Sequence, residues 1–142
     1  MTRKPDNILS LLTPKATVVY LTDDMTIRQA LEKMRVHRYT SIPVIGAKDG
    51  TYVGSVAEGD LLYTLADEKH ISIKRLEDTP VVSIIRKTYM PAMKVDMSMD
   101  ELIKFITIQN YVPVVDDRNI LMGIVTRSSL MKYLVKKLEE IR

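Results

Sequence analysis

At 142 residues, with 46% hydrophobic and 27% charged side chains, the chain has the length and composition of one globular domain or two small fused halves, not of a disordered polymer. The absence of cysteine excludes disulfides and thiolate chemistry, and no apolar run is long enough for a signal peptide or a membrane span, so a cytoplasmic protein without membrane contact is expected. A net charge of +3 and a pI of 9.1 suit a small anionic ligand, whereas one Phe and no Trp leave little stacking surface for nucleic acid.

Asp6 to Leu12 reads as a short amphipathic helix closed by Thr13-Pro14, because the residue before proline is pushed out of the helical region. Val18 to Leu21 is a β-rich run. Thr26 and Gln29 form a capping box, and Ile27, Ala30, Leu31 and Met34 at helical spacing predict a helix to about His37. Ile42-Pro43-Val44-Ile45 and Tyr52 to Val56, joined by Lys48-Asp49-Gly50, predict a hairpin. A helix follows from Gly59 to Leu65.

The second half repeats this order. Thr79 and Pro80 open a short helix as N-cap and first position. Met93 to Val95 is a short strand, and Ser98 and Glu101 form a second capping box ahead of Leu102, Ile103, Phe105 and Ile106. Val112 to Val115, the turn Asp117-Arg118-Asn119 and Leu121 to Val125 rebuild the hairpin, and a helix runs from Ser128 to Arg142. Gly54 recurs as Gly123, 69 residues on, and Pro43 as Pro113, 70 residues on. One such unit cannot cover its own apolar face, so the two copies are expected to pack as one body. The expected organisation is a first repeat at 6–68, a linker at 69–78 and a second repeat with its final helix at 79–142. Met34, Met99 and Met131 fall at apolar-periodic positions and are expected to fill core.

Gly123-Ile124-Val125-Thr126-Arg127-Ser128-Ser129-Leu130 is an apolar strand that runs into a hydroxyl-rich helix start bearing an arginine. A helix start presents unpaired N–H groups and partial positive charge, so this step is suited to an anion. The alternative is that Ser128 is an N-cap and Arg127 a solvated charge.

The run Ile-Pro-Val-Ile, Asp-Gly, Val-Gly-Ser-Val, Asp-Leu, repeated as Val-Pro-Val-Val-Asp, Gly-Ile-Val-Thr-Arg, Ser-Leu, resembles a tandem pair of cystathionine-β-synthase (CBS) domains, a Bateman module, over about residues 6 to 138. The resemblance implies an α+β fold of two βαββα repeats packed through their sheets with pseudo-two-fold symmetry, and a regulatory module binding adenosine-containing ligands between them. It implies a first site at Lys15, Thr17, Val18, Tyr39, Thr40, Ser41, Ile42, Pro43, Thr126, Arg127, Ser128 and Ser129. There, backbone groups near Ser41 read an adenine edge while Ile42 and Val18 hold its faces. A second, weaker site is implied at Tyr89, Pro91, Tyr111, Val112, Pro113, Ala57 and Asp60, where Glu58 stands in place of Arg127 and disfavours phosphate. Asp60 keeps the family's ribose-binding aspartate, whereas the first site has Ser129. Serine there removes a repulsion from the 3′ phosphodiester of a cyclic dinucleotide. Lys15, the Tyr39 to Pro43 run, Gly123 to Arg127 and the Lys/Leu-rich final helix make the chain similar to small stand-alone CBS-pair proteins of Gram-positive bacteria that bind cyclic di-AMP, which is expected ahead of AMP or ATP.

No catalytic residue, metal or cofactor is expected. His37 and His70 lack ligand or nucleophile spacing, there is no phosphate-cradling glycine loop, and Asp23-Asp24 and Asp116-Asp117 fall where turns and caps favour aspartate. The rival reading is a ligand-free dimerisation module. The final helix carries Leu130, Met131, Leu134, Leu138 and Ile141, a stripe to be buried within the fold or in a homodimer. A sensor without an effector domain must act on a separate protein; resemblance suggests a stringent-response or central-metabolic enzyme.

Overall fold

The computed structural model describes residues 8–67 and 73–141, so His70 and the start of the helix expected from Asp6 lie outside the described residues. In chain order there follow a 3-10 turn at Ile8–Leu11, β1 (Thr13–Pro14), a 3-10 turn at Lys15–Thr17, β2 (Leu21–Thr22), α1 (Ile27–His37), β3 (Ser41–Ile45), β4 (Tyr52–Ala57) and α2 (Glu58–Asp67). Then come α3 (Ile73–Asp78), a 3-10 turn at Val81–Ile84, β5 (Met93–Lys94), α4 (Met99–Ile108), β6 (Tyr111–Val115), β7 (Leu121–Thr126) and α5 (Arg127–Glu140).

These elements form two compact units, each α+β. One is Val19–Tyr89, with a sheet ordered β2-β3-β4; the other joins the segment ending at Val18 to the segment beginning at Met90, with a sheet ordered β1-β7-β6-β5. The units and the repeats expected from periodicity are therefore different partitions: the segment leading into each repeat packs with the hairpin of the other. The contact that draws Leu12 and Thr13 to β7 is backbone pairing of Thr13 with Ile124 and of Pro14 with Gly123.

The hairpins have matching registers. Ser41 faces Ala57 and Val44 faces Gly54; Tyr111 faces Thr126 and Val114 faces Gly123. Each unit has its own core. In Val19–Tyr89 it is built from Leu21, Ile27, Ala30, Met34, Ile42, Val44, Val56, Leu61 and Val81. In the other it is built from Ile8, Met93, Leu102, Ile106, Val112, Val114, Val125 and Leu130. The capping box predicted at Thr26 is complete: its hydroxyl accepts from Gln29 N–H (3.3 Å), and Gln29 Oε1 accepts from Thr26 N–H (2.9 Å). At α4, Ser98 Oγ accepts from Glu101 N–H at 3.2 Å.

Several expectations are corrected. The run Val18 to Leu21 is not a strand, since only Leu21 and Thr22 meet partners, Val44 and Ile45; Tyr20 O instead accepts from Lys33 Nζ at 2.6 Å. In the described part of the expected Asp6 to Leu12 helix, Ile8–Leu11 forms a 3-10 turn in place of an amphipathic helix. Thr79 does not cap the following turn, whose N-cap is Pro80; its hydroxyl donates to Arg75 O at 2.7 Å, because the expected linker holds α3 and so supplies a carbonyl four residues back. Met34 is buried and Met99 packs against core, but Met131 is 55% exposed on the outer side of α5.

The hairpin turns are fastened by carboxylates. Asp49 Oδ1 accepts from Thr51 N–H and its hydroxyl (3.0 and 2.8 Å), and Asp116 Oδ1 accepts from Arg118 and Ile120 N–H (2.8 and 3.0 Å). The Thr51 N–H holds Asp49, and the Ile120 N–H holds Asp116, below the ordinary carboxyl value of 3.8. A carboxyl depressed in the folded state contributes stability that is complete above its unfolded pKa and is lost as pH falls through the lower folded one. Thermal stability followed by circular dichroism is therefore expected to decline below about pH 4, and Asp116→Asn is expected to flatten that decline. An unchanged acid limb in the variant would contradict this role.

Candidate functional site

The strand-to-helix step Gly123 to Leu130 lies in one unit with the 3-10 turn Lys15–Thr17, which packs on β7. Residue by residue the step is more tightly specified than its sequence suggests. The N-cap of α5 is Thr126, not Ser128: Thr126 Oγ1 accepts from Ser129 N–H at 3.1 Å and donates to Ser129 Oγ at 2.9 Å. Arg127 opens the helix, and its Nε and Nη2 donate to Ile106 O at 3.1 and 2.9 Å. That carbonyl belongs to the last turn of α4, where orphan acceptors attract a cation. Arg127 is thus not simply solvated: among the described residues two of its five guanidinium N–H donors meet Ile106 O. Thr17 Oγ1 donates to Pro14 O at 3.0 Å, which fixes the turn that carries Lys15. Lys15, Thr17, Thr126, Arg127, Ser128 and Ser129 belong to one unit, in which the turn Lys15–Thr17 packs on β7 and Thr126 to Ser129 open a fourteen-residue helix.

Tyr39, Thr40, Ser41, Ile42 and Pro43 belong to the other unit, at the entry to β3. Tyr39 and Thr40 are exposed, and Tyr39 stacks on His37 with centroids 5.5 Å apart. Ile42 is fully buried in the core and Pro43 is buried, so neither side chain presents a surface for adenine; the reading that Ile42 holds a base face is corrected, because core packing has claimed that side chain.

Of the residues assigned to the second site, Tyr89, Ala57 and Asp60 lie in one unit, and Pro91, Tyr111, Val112 and Pro113 in the other. Val112 is fully buried, Tyr111 and Pro113 are buried within β6, and Pro91 is exposed. Tyr89, Ala57 and Asp60 converge with two further residues. Asp60 Oδ2 accepts from Ala57 N–H at 2.9 Å, which caps α2 from its third position. Its Oδ1 pairs with Arg86 Nε at 2.7 Å, and Arg86 Nη2 lies 3.5 Å from Oδ2. The same guanidinium sits 4.2 Å over the Tyr89 ring, and Tyr89 OH donates to Ser41 Oγ at 3.1 Å. Arg86 was missed in the sequence because its partner is 26 residues away and follows no local periodicity. Glu58 lines a different feature, a groove of about 890 Å³ between α1 and α2 floored by Leu31, Leu61, Leu62 and Leu65.

The paired exchange Thr126/Ser129 against Ala57/Asp60 has a common physical basis. Both pairs close the first turn of a helix, one with the hydroxyl at the cap and one with a carboxylate reaching back to it. Among the described residues no group of three acidic or histidine side chains is placed to hold a metal ion, and no helix is long and apolar enough to cross a membrane.

A family model for the CBS domain matches residues 9–67 and 77–136, and the chain belongs to that family. Its fold is that of CBS-pair structures. CbpB crystallised in complex with cyclic di-AMP superposes with a TM-score of 0.87 at 18% identity, covering 96% of this chain and 89% of that one. CbpB of Listeria monocytogenes, also in complex with cyclic di-AMP, gives 0.81 at 20% identity over 93% and 97% of the two chains. A CBS domain protein of Streptococcus pneumoniae gives 0.82 at 24% over 92% and 87%. An uncharacterized protein of Methanocaldococcus jannaschii is 28% identical over 137 residues, and the chain spans about half that protein's length, 48%, while 89% of the chain is covered.

Proposed function

We propose that the chain is a cytoplasmic regulatory sensor without catalysis of its own, which binds cyclic di-AMP in preference to AMP or ATP and signals to a separate protein. The observation that carries the reading is the Thr126–Ser129 step with Lys15 and Thr17 in the same unit: a helix start, two cationic residues and several hydroxyls suit a phosphodiester. Ser129 in place of a carboxylate favours a ribose whose 3′ oxygen is already esterified. Tyr39 to Pro43 are proposed for the base through backbone groups, since Ile42 and Pro43 have buried side chains. The CbpB complexes with cyclic di-AMP support the choice of ligand. A thermal-shift panel of cyclic di-AMP, AMP, ATP and cyclic di-GMP tests it: the largest rise in Tm is expected with cyclic di-AMP, and a larger one with AMP would overturn the Ser129 argument. The regulated partner is proposed to be a stringent-response or central-metabolic enzyme, reached by a surface that bound ligand stabilises in one of two states.

The sensor is further proposed to act as a homodimer. On α5, Leu130 is buried, but Met131 and Leu138 are 55% and 65% exposed and Ile141, at its C-cap, is 78% exposed, so much of the expected stripe is left uncovered by the described residues. Sedimentation velocity is expected to show a dimer for the native chain and a monomer for Leu138→Glu. A monomeric native chain would remove this element.

A further inference from the structure

The contacts around Asp60 close into a ring. Ser41 faces Ala57 across the β3–β4 ladder, Ala57 N–H binds Asp60, Asp60 pairs with Arg86, Arg86 covers Tyr89, and Tyr89 OH returns to Ser41. The Asp60 side chain is only 9% exposed, so its charge is held by this ring and not by water. An uncompensated carboxylate so placed would be costly, and a planar guanidinium with two N–H groups directed at it is the matching counter-ion. Arg86 itself is 56% exposed, so it can leave without opening the core.

Two groups in the ring are those a nucleoside would use: an aromatic face for the base, and a paired-oxygen acceptor for the vicinal ribose hydroxyls. One side chain engages both. The other step carries no counterpart. Counting back 72 residues, the offset that relates the caps Thr26 and Ser98, Arg86 falls on Pro14 and Tyr89 on Thr17. Proline has no side-chain donor, and Thr17 is tied to Pro14 O.

We infer that Arg86 is a built-in occupant of the Asp60–Tyr89 cluster that keeps adenosine-type nucleosides out, leaving each chain one nucleotide site. The inference rests on reading the strand-to-helix steps as nucleotide-binding. Removing the occupant should expose both the ring and the carboxylate.

Calorimetric titration with adenosine, which carries no phosphate, tests this on the full chain. Arg86→Ala is expected to bind adenosine about tenfold more tightly than the native chain, and Arg86→Ala combined with Asp60→Asn is expected to lose the gain. Arg86→Lys, which can still pair with Asp60 but lacks the planar fork, is expected to fall between and serves if Arg86→Ala does not fold. Adenosine affinity that is unchanged or weaker in both Arg86 variants would overturn the inference. Cyclic di-AMP is titrated in parallel on the native chain. Its failure to bind there, with the adenosine gain intact in Arg86→Ala, would count against the proposed sensor function and leave the occupant role of Arg86 standing.

Discussion

Gly123→Ala is expected to destabilise the protein by about 3 kcal/mol, the upper range for overpacking a close contact. A Cβ at Gly123 would lie 2.1 Å from Thr13 O and 3.1 Å from both Leu12 Cγ and Cδ1. The first obstacle is backbone, and it is the carbonyl of the strand that pairs with β7, so β1 must be displaced. At the equivalent Gly54 the obstacle is the Ile85 side chain, 2.5 Å from the added carbon. Both glycines therefore mark where the segment preceding one repeat crosses the hairpin of the other. Because Lys15 follows β1 directly, Gly123→Ala is also expected to weaken ligand binding. Denaturant unfolding monitored by circular dichroism gives the first quantity; a loss of stability under about 1 kcal/mol would show that β1 yields freely.

Arg127→Ala should lower affinity for cyclic di-AMP by about tenfold to a hundredfold, the range of one charge-assisted hydrogen-bonding partner. The substitution also removes two donors from Ile106 O, so a modest loss of stability accompanies it. Arg127→Lys separates the two effects. Lysine restores charge at the helix start but cannot give the forked donation, so part of the affinity should return while stability stays below that of the native chain. Equal stability losses in both variants with unchanged ligand affinity would reduce Arg127 to a clasp between α4 and α5.

The repeat was legible because its signals are local. Gly54 and Gly123, Pro43 and Pro113, and the caps at Thr26 and Ser98 each lie within a few residues of the hydrophobic periodicity that they punctuate, and the hairpins and helices follow them closely. Long-range pairing left no such trace. Thr13 and Pro14 read as the end of a helix, yet they form a strand with residues more than a hundred positions away, which joins the segment ending at Val18 to the unit of the second hairpin. The β-branched pair Val18-Val19 shows propensity yielding to tertiary context, since β3 offers ladder partners to Leu21 and Thr22 alone.

At the site, the types of residue were legible and their partners were not. Thr126, Arg127 and Ser129 were recognisable as helix-start chemistry, but that Arg127 spans to Ile106 O depends on where α4 ends. The resemblance put Ile42 at a base face; β3 is instead buried continuously from Ile42 to Ile45, and the core around Leu21 and Val56 takes up the Ile42 side chain. Arg86 stood outside every motif and is joined to Asp60 only by the fold.

Isothermal titration of the native chain with cyclic di-AMP tests the central claim most directly. One binding event per chain is expected, with affinity that falls in Arg127→Ala. Absence of binding heat for cyclic di-AMP, together with no shift in melting temperature, would contradict the sensor and leave a dimerisation module.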